Sequence, residues 1–507
     1  MADLRAGRPG SFCCARSPNM ADEADGVEVP VEHDEEAPMD AEGVEEPHEQ
    51  AVADEQRMLP PDTFRLTDTG NADRLIHLYG QGLKWCGAWG CWLVWSGRHW
   101  ERDEGRRIDR YVRATIDEMY EEIAGTDEDR RQLVAKWVVK SDSASKMRDM
   151  TELARCQVAV RQDTLDRLPM SLNVANGTVD LETGRLREHR PADLLTVVLA
   201  TPYVADATCP RWEQFLREVF LDDEGLIGYV QRLVGYSITG DGREHVLPVC
   251  HGGGANGKNT LLDTLLGLLE GYGYQAPSRM LMTGAADEHA CELAALYGKR
   301  LAVASETEAG RKLKTALVKG LTGDAKITAR RMRENFWTFD RTAKIWLVTN
   351  HKPRVTDESE GIWRRLKLIP FNATFLGKRA DPLLMPKLRG EYAGILAWAV
   401  RGCLDWQRQG LGDPPAVEHA TKGYRAEEDR VGAFVQERLV VTPGDAVAVT
   451  LMRAAYEGWA KAAGEEPLDG RAFNEQMHNR GLVNGAVKRA GVVFKAWKGV
   501  TVRPAGR

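Results

Sequence analysis

With 507 residues, of which 43% are hydrophobic, the chain is long enough for two to four domains with substantial cores. Its formal net charge of −7 is unevenly spread, because residues 21–56 carry 15 Asp or Glu and no Lys or Arg. Residues 57–507 carry 65 basic and 59 acidic side chains. This small positive balance permits a nucleic-acid partner. No apolar run nears the roughly 18 residues of a membrane span and no cysteines have zinc spacing, which predicts a cytoplasmic protein without membrane contact or structural metal.

The chain begins with a tail and a tryptophan-rich segment. Residues 1–60 are acidic, contain several prolines and have few apolar side chains, so we predict a disordered tail. Five tryptophans follow between Trp85 and Trp100. They could stack on nucleic-acid bases, but a small β-core that buries the large rings is the commoner arrangement and is our prediction.

Two further predicted segments lead toward the middle of the chain. Hydrophobic periodicity and turn residues predict helices over 107–123, 128–140, 211–219 and 224–236, and a hairpin around 182–184. We therefore expect a mixed α+β domain at 61–205. A helical collar or linker is expected at 206–243.

Residues 251–260, with the sequence HGGGANGKNT, carry the strongest chemical signal. Gly252, Gly257 and Lys258 have the G-x-x-x-x-G-K spacing of a phosphate-binding loop, in which backbone N–H groups surround the phosphates and the lysine reaches the outer ones. Leucines at helical spacing follow, so the loop would open a helix whose N-terminus faces the anion. The predicted nucleotide-binding residues are Gly252, Gly253, Gly254, Ala255, Asn256, Gly257, Lys258, Asn259 and Thr260.

Two departures leave an alternative open for this loop. Asn259 stands where the motif has a Ser or Thr that contacts Mg²⁺. Pro248, in the preceding apolar run, fits poorly in a central strand. The alternative is a glycine-rich turn before an amphipathic helix.

Segment 245–371 alternates strand and helix, which is typical of a parallel α/β sheet. Two of its apolar strands end in polar residues, Glu306 and Asn350. A carboxylate at such a strand end could activate water or be linked to Mg²⁺, and an amide could orient the water; an isolated acid after a strand is ordinarily a loop residue. Arg364 and Arg365 precede the last strand, either as a solvated edge or as groups that stabilise phosphoryl-transfer charge from a neighbouring subunit.

A basic stretch lies between these strands. Residues 311–335 carry eight Lys or Arg and two acids. The first half is predicted to be an amphipathic helix whose lysines form its solvated side. The second half is predicted to be a hairpin that offers positive charge to a phosphate backbone, with Lys326, Arg330, Arg331 and Arg333 as the DNA-binding residues.

The C-terminal part is predicted to consist of a helical lid at 381–412 and a small winged-helix-like module at 413–507. The Gly- and Pro-rich residues 410–415 mark the boundary. From Gln476 onward there are seven Lys or Arg and no acid, which suits DNA binding. A basic tail on a packing domain is the alternative.

Several sequence motifs occur in a fixed order: NVANGTVDL (173–181), GYSITG (235–240), NGK (256–258), ASETE (304–308), GLTGD (320–324), WLVTNHKP (346–353) and GIWRR (361–365). With these motifs, residues from about 64 to 400 resemble the phage and plasmid primase–helicase proteins, whose motor belongs to the superfamily 3 helicases of the AAA+ class. The resemblance implies an α/β P-loop AAA+ motor at 244–380. It also implies a hexameric ring that threads one DNA strand and hydrolyses ATP between subunits.

The resemblance also implies roles for single residues. Lys258 would hold the phosphates, Glu306 would be the acid of the second nucleotide motif, and Asn350 would be the sensor. Arg364, with Arg365 as the near alternative, would be the arginine finger donated in trans. Mg²⁺ would be held by Asn259 or Thr260 together with Glu306, and the basic hairpin would line the pore.

A role in DNA replication follows from the same resemblance, with ATP and Mg²⁺ as cofactors, DNA as substrate, a homo-hexamer as the assembly, and a primase or host replication proteins as further partners. Family members often carry a polymerising primase domain upstream, for which residues 1–60 are too few. The alternative function is an ATP-gated replication initiator that binds origin DNA and recruits a host helicase without processive unwinding.

Overall fold

The computed structural model describes residues 64–283, 289–306, 308–331, 335–357, 359–464 and 466–503. The predicted acidic tail lies outside these residues. None of the described helices is both long and apolar enough to cross a membrane.

The N-terminal part combines a small sheet with four helices. The sheet has the order β3-β2-β1-β4, in which β1 and β4 are parallel and the other pairs antiparallel. Trp92 and Trp100 are buried, so the predicted tryptophan β-core is confirmed. The elements are α1 (Asp68–Tyr79), β1 (Leu83–Cys86), β2 (Cys91–Trp95), β3 (Trp100–Arg102), α2 (Arg107–Gly125), α3 (Glu128–Ser141), α4 (Ala144–Ala154) and β4 (Ala159–Val160).

Helices α2 and α3 agree with the sequence prediction, whereas α1 is a helix that the prediction lacks. The reason is that α1 buries polar side chains. Asn71 is fully buried and donates from Nδ2 to the Ser141 hydroxyl at 2.9 Å. Arg74 is buried as well and pairs with Glu122 at 3.1 Å. A search for apolar periodicity treats such positions as exposed.

The connecting part contains a three-stranded antiparallel sheet and two helices. The elements are β5 (Ser171–Val174), β6 (Gly177–Asp180), β7 (Arg185–Arg187), α5 (Pro210–Phe220) and α6 (Glu224–Ser237). The predicted hairpin is formed by β6 and β7. Both predicted helices are present as well.

A five-stranded parallel sheet forms the centre of the protein. Its strand order is β14-β8-β13-β10-β9, and every neighbouring pair is parallel. The elements are β8 (Leu247–His251), α7 (Lys258–Leu269), β9 (Gly273–Ala276), α8 (His289–Ala294), β10 (Leu301–Glu306), α9 (Thr315–Gly323), β11 (Lys326–Ala329), β12 (Trp337–Asp340), β13 (Lys344–Thr349), α10 (Glu360–Trp363) and β14 (Leu366–Pro370).

Both faces of this sheet are covered, because successive residues of the inner strands β8, β13 and β10 belong to different cores. On β13, Trp346 and Val348 belong to one hydrophobic cluster and Ile345 and Leu347 to another. All six residues of β13 are buried. Strands that are buried on both faces read as continuous apolar runs, and this is why the sequence shows them clearly.

The strand order creates a crevice between β8 and β13. The connection after β8 leads through α7 to the far edge strand β9, whereas the connection after β13 passes back to β14 on the other side of β8. Ligands of open α/β sheets bind at the carboxyl ends of strands where connections diverge in this way. The strand order therefore places the predicted phosphate loop, which follows β8, at the crevice where a ligand is expected to bind.

Pro248 lies in this central strand, contrary to the expectation that it would fit poorly there. The register gives the reason. Pro248 is paired with Lys367 of β14, but the pairing between β8 and β13 begins only at Val249. Pro248 thus lies where β8 has a strand on one side only, and its missing N–H interrupts no ladder with β13.

The C-terminal part begins with helices and ends in an α+β module. The predicted helical stretch after Asp381 is two helices that meet at Glu391, whose carboxylate accepts hydrogen bonds from the first N–H groups of α5. The module contains an antiparallel sheet of order β15-β17-β16. The elements are α11 (Leu384–Gly390), α12 (Tyr392–Gln409), α13 (Pro415–Glu428), α14 (Arg430–Arg438), β15 (Leu439–Ala448), α15 (Val449–Ala462), α16 (Gly470–Asn479), β16 (Asn484–Arg489) and β17 (Val492–Val502).

Candidate nucleotide-binding site

In the loop between β8 and α7, both glycines of the motif occupy positions that accommodate only glycine. A Cβ on Gly252 would lie 2.3 Å from the carbonyl oxygen of Phe371. Gly257 has φ of +84°, and a Cβ there would lie 2.6 Å from Val219. The glycines of the motif are therefore required by the path of the chain as well as by access for an anion.

The loop has unused backbone donors. Within the described chain, the N–H groups of Ala255, Asn256 and Gly257 donate to no acceptor. They directly precede Lys258, where α7 begins, so the partial positive charge of the helix N-terminus adds to them. An anion bound in the loop would satisfy these donors.

Lys258 is held across the loop and is only 3% exposed. Its Nζ donates to the Gly252 carbonyl at 2.7 Å and to Oδ1 of Asn256 at 3.0 Å, and the Asn256 amide in turn donates to the carbonyl of Phe371 at 3.2 Å. Burial lowers the pKa of Lys258, and the nearby Cys250 thiol counteracts this only in part. A bound anion would favour the charged ammonium and oppose the shift.

The loop opens into a cavity of about 350 Å³ that also contains both predicted strand-end residues, Glu306 and Asn350. The sequence interpretation did not include Ser305, Val348 and Thr349, which also line the cavity. Ser305 directly precedes Glu306, and Val348 and Thr349 directly precede Asn350. Gly252 and Gly253 do not line the cavity. The lining residues are Gly254, Ala255, Asn256, Gly257, Lys258, Asn259, Thr260, Ser305, Glu306, Val348, Thr349 and Asn350.

Strand register explains why these residues meet. Glu306 is paired with Thr349, and Thr349 is paired with His251, the last residue before the loop. Three neighbouring strands therefore end at the same level. Asn350 follows Thr349 directly, and the turn after it is closed by a hydrogen bond from the His351 N–H to the Thr349 hydroxyl at 3.0 Å.

Glu306 is a buried carboxylate, 5% exposed, without a cationic side chain bonded to it in the described chain. Its Oε1 accepts one hydrogen bond, from the N–H of Glu308 at 2.8 Å. Buried carboxylates are ordinarily paired with a cation or bound to a metal. The position of Glu306 in the cavity therefore fits a site for a positively charged group.

Oxygen ligands for Mg²⁺ are present, but not as a protein-only cage. Asn259 and Thr260 both line the cavity with Glu306, and either side chain could supply an oxygen. Among the described residues no cluster of three or more His, Cys, Asp or Glu could hold a metal. The residues present fit a Mg²⁺ ion that takes most of its ligands from phosphates and water.

Arg364 lies outside the nucleotide cavity. It is exposed, lines a separate cleft of about 290 Å³ beside α13, and makes no side-chain hydrogen bond or ion pair within the described residues. Arg365 is buried, and its guanidinium donates to the Thr322 hydroxyl at 3.1 Å and to the Gly361 carbonyl. The two neighbouring arginines thus differ in what they can reach.

The predicted basic hairpin is present as the antiparallel pair β11 and β12. Lys326 is opposite Asp340 at the open end, whereas Arg330 and Arg331 follow β11 toward the turn. Each arginine lies over an aromatic ring of the returning chain, Arg330 over Phe336 at 5.2 Å and Arg331 over Trp337 at 5.5 Å. Arg333 lies outside the described residues.

Two family descriptions match the chain. Residues 72–221 match the family described as "D5 N terminal like". Residues 250–365 match a family of unknown function, DUF5906. The second range contains the loop, Glu306, Asn350 and Arg364.

Curated viral proteins are similar to more than half of the chain. The candidate helicase L207/L206 of Acanthamoeba polyphaga mimivirus is 27% identical over 300 residues, which are 54% of this chain and 31% of that protein. The candidate primase C962R of African swine fever virus is 24% identical over 336 residues, 59% of this chain and 34% of that protein. The chain thus spans about a third of the length of these relatives.

Among solved structures, the apo C-terminal region of NrS-1 is 13% identical, with a TM-score of 0.37 over 59% of this chain and 77% of that one. Such a score is too low to define a shared fold. The family match at 72–221 and the viral helicase and primase relatives agree with the resemblance seen in the motifs. Together they support a relation of this chain to the phage and viral primase–helicase proteins.

Proposed function

We propose that the protein is an ATP-dependent DNA helicase of phage- or virus-type replication, which hydrolyses ATP at the subunit interfaces of a hexameric ring and translocates on single-stranded DNA. One observation carries the proposal: a single cavity contains the phosphate loop, a buried carboxylate and a strand-end amide. These are the groups needed to bind a nucleoside triphosphate and to direct a water molecule at it.

We propose a role for each of these groups, supported by their positions in the cavity. Lys258 and the free N–H groups of the loop bind the phosphates and compensate their charge. Glu306 orients or activates the attacking water, and Asn350 positions that water. With Asn259 or Thr260, Glu306 would also help to hold Mg²⁺. Bound Mg²⁺ supplies further compensation for charge that develops on the phosphates.

Arg364, which is exposed and has no side-chain bond to any residue that the structure describes, supports hydrolysis between subunits. A residue outside its own nucleotide cavity can act as an arginine finger only in a neighbouring site. The parallel sheet with helices on both faces is compatible with the AAA+ motor that we propose for 244–380. We further propose that Lys326, Arg330, Arg331 and Arg333 contact DNA in the pore, and that the module after α13, with three helices and a three-stranded sheet, is a winged-helix-like DNA-binding domain.

The test uses the full chain with a forked DNA substrate. We expect DNA-stimulated ATP hydrolysis and strand separation by an oligomer whose mass is measured under native conditions. Both activities should be lost in Lys258→Ala and retained in the control Lys136→Ala, which removes an exposed lysine from α3. Unwinding by Lys258→Ala would contradict the proposal, and ATP hydrolysis without strand separation would favour the replication initiator instead.

A further inference from the structure

Helix α13 connects two places that the proposed function uses separately. It lies against the edge strand β14, where the Leu368 N–H donates to the Thr421 hydroxyl at 3.0 Å. From there α13 contacts the segment that follows Asn350 and the short helix α10 that precedes Arg364. No residue of α13 belongs to the nucleotide cavity itself.

The contacts with the first segment begin two residues after Asn350. Lys352 forms an ion pair with Glu427 at 2.7 Å and lies over the ring of Tyr424 at 5.7 Å. The Tyr424 hydroxyl donates to the carbonyl of Pro353. The N–H of Val355 donates to Glu428 at 2.9 Å.

The contacts with the second segment end at the residue before Arg364. The rings of Tyr424 and Trp363 meet edge to face, with centroids 5.3 Å apart. Arg425 pairs with Glu360, the first residue of α10, at 2.5 Å and lies over the ring of Trp363 at 6.0 Å.

These contacts are not of equal value. The ion pairs of Lys352 and Arg425 involve partners that are mostly exposed, and such pairs are screened by solvent and salt. Tyr424 and Trp363, in contrast, are 1% and 5% exposed. Burial, followed by the nearby Glu428 and Glu427, raises the pKa of Tyr424, which favours the neutral form of its hydroxyl as a hydrogen-bond donor.

We infer that Tyr424 is a positioning residue that contacts two segments at once. The Asn350 segment, residues 350–355, belongs to its own nucleotide site, and the Arg364 segment, residues 360–364, would act in the next site. Tyr424 fixes the position of one segment relative to the other. The inference rests on the proposed function. In a ring, each Tyr424 would then connect two consecutive sites, because the residue before Arg364 and the residues after Asn350 contact the same side chain. Small displacements of such groups are costly, since a shift of about 1 Å can lower a rate by about a hundredfold.

Two substitutions separate the two connections. Tyr424→Phe removes the hydrogen bond to Pro353 but keeps the ring against Trp363, whereas Tyr424→Leu removes both. We expect Tyr424→Phe to lower kcat for ATP by about threefold to tenfold, the worth of one buried hydrogen bond, and Tyr424→Leu to lower it further. The ATP KM and the affinity for a fluorescent ATP analogue should stay within about twofold, because the phosphate loop is untouched.

Mixed oligomers test the connection to the next site. Lys258→Ala subunits keep an intact Arg364 segment, so adding them to Tyr424→Leu should raise its ATPase activity toward the level of Tyr424→Phe. The same addition should leave Tyr424→Phe unimproved, because its defect lies in its own site. The control is Tyr203→Phe, which removes a buried hydroxyl bonded to the Gly184 carbonyl at 3.0 Å and should keep wild-type kcat.

The outcomes are distinguishable. If wild-type protein hydrolyses no ATP, the proposed function fails. If the wild type is active and Tyr424→Phe has the same kcat as the wild type, the proposed connection to the Asn350 segment is wrong. Tyr424→Phe provides this test even if Tyr424→Leu does not fold. If mixing restores nothing to a folded Tyr424→Leu, or if KM rises as much as kcat falls, Tyr424 does not position Arg364 for a neighbouring site.

Discussion

Replacing Arg364 and Arg365 one at a time by alanine should produce opposite defects, although the two residues are adjacent. Arg364 is exposed and forms no side-chain bond within the described residues, so its loss should leave folding intact. Arg365 is 8% exposed and bonded to Thr322 and Gly361. Its loss should destabilise the sheet region that contains the nucleotide cavity.

The magnitudes follow from the contacts. A hydrogen bond from a charged group contributes about 1.5–3 kcal/mol, and the Thr322 hydroxyl keeps a partner in the Val318 carbonyl after the change. We therefore expect Arg365→Ala to cost about 2 kcal/mol, or roughly 4–8 °C in Tm for a domain of this size. Arg364→Ala should change Tm by less than about 1 °C but lower kcat by about 10³-fold or more, as for an arginine finger.

The assay combines thermal unfolding, ATP hydrolysis and binding of a fluorescent ATP analogue. Arg364→Ala should bind the analogue normally. Mixing it with Lys258→Ala should restore hydrolysis, because a Lys258→Ala subunit supplies an intact Arg364 and an Arg364→Ala subunit supplies an intact nucleotide site. Wild-type hydrolysis by Arg364→Ala, together with an inactive Arg365→Ala of unchanged Tm, would refute the assignment. No recovery on mixing would remove the argument for a site shared between subunits.

Three further predictions concern the loop and the hairpin. Gly252→Ala should abolish ATP binding and lower Tm, because its Cβ would lie 2.3 Å from the Phe371 carbonyl oxygen. Gly253→Ala should keep the Tm of the wild type, because a Cβ there has no atom within 4 Å. Equal Tm values for the two variants would contradict this prediction. Since burial lowers the pKa of Lys258 in the folded protein, the unfolded chain binds more protons at this lysine, and its contribution to folding stability increases as the pH rises into the alkaline range. ATP binding should raise the pKa of Lys258 again and take up protons, which calorimetry in two buffers of different ionisation enthalpy would detect. Binding heats that do not depend on the buffer would show that Lys258 does not contact the phosphates. Arg330→Ala should weaken single-stranded DNA binding similarly for all sequences and reduce the slope of log K against log salt by about 1, and an unchanged slope would place Arg330 away from the DNA backbone.

Much of the fold could be predicted from local pattern. Strands β10 and β13 are continuous apolar runs, and α2, α3, α5 and α6 follow helical periodicity, so each is encoded within about ten residues. Parallel strands end at a common edge. The meeting of Glu306 and Asn350 with the phosphate loop could therefore be predicted before any contact was known.

Other features depended on partners far away in the chain. Helix α1 is hidden from a periodicity search because its buried Asn71 is satisfied by Ser141, 70 residues later. Pro248 is tolerated only because of the register with β13, which no local pattern contains. The helical stretch after Asp381 is interrupted at Glu391, whose carboxylate caps α5, 180 residues earlier in the chain.

The sequence by itself determined the candidate phosphate loop, the strand-end carboxylate and amide, the basic hairpin and the presence of two candidate finger arginines. Only the tertiary structure decided which arginine is available, since Arg364 and Arg365 differ through packing against Thr322, 43 residues from Arg365. It also decided that Tyr424, 71 residues from Pro353, contacts both segments next to the site. Backbone conformation and apolar periodicity are set by neighbouring residues, whereas burial and side-chain bonding are set by whichever distant segments the fold brings together.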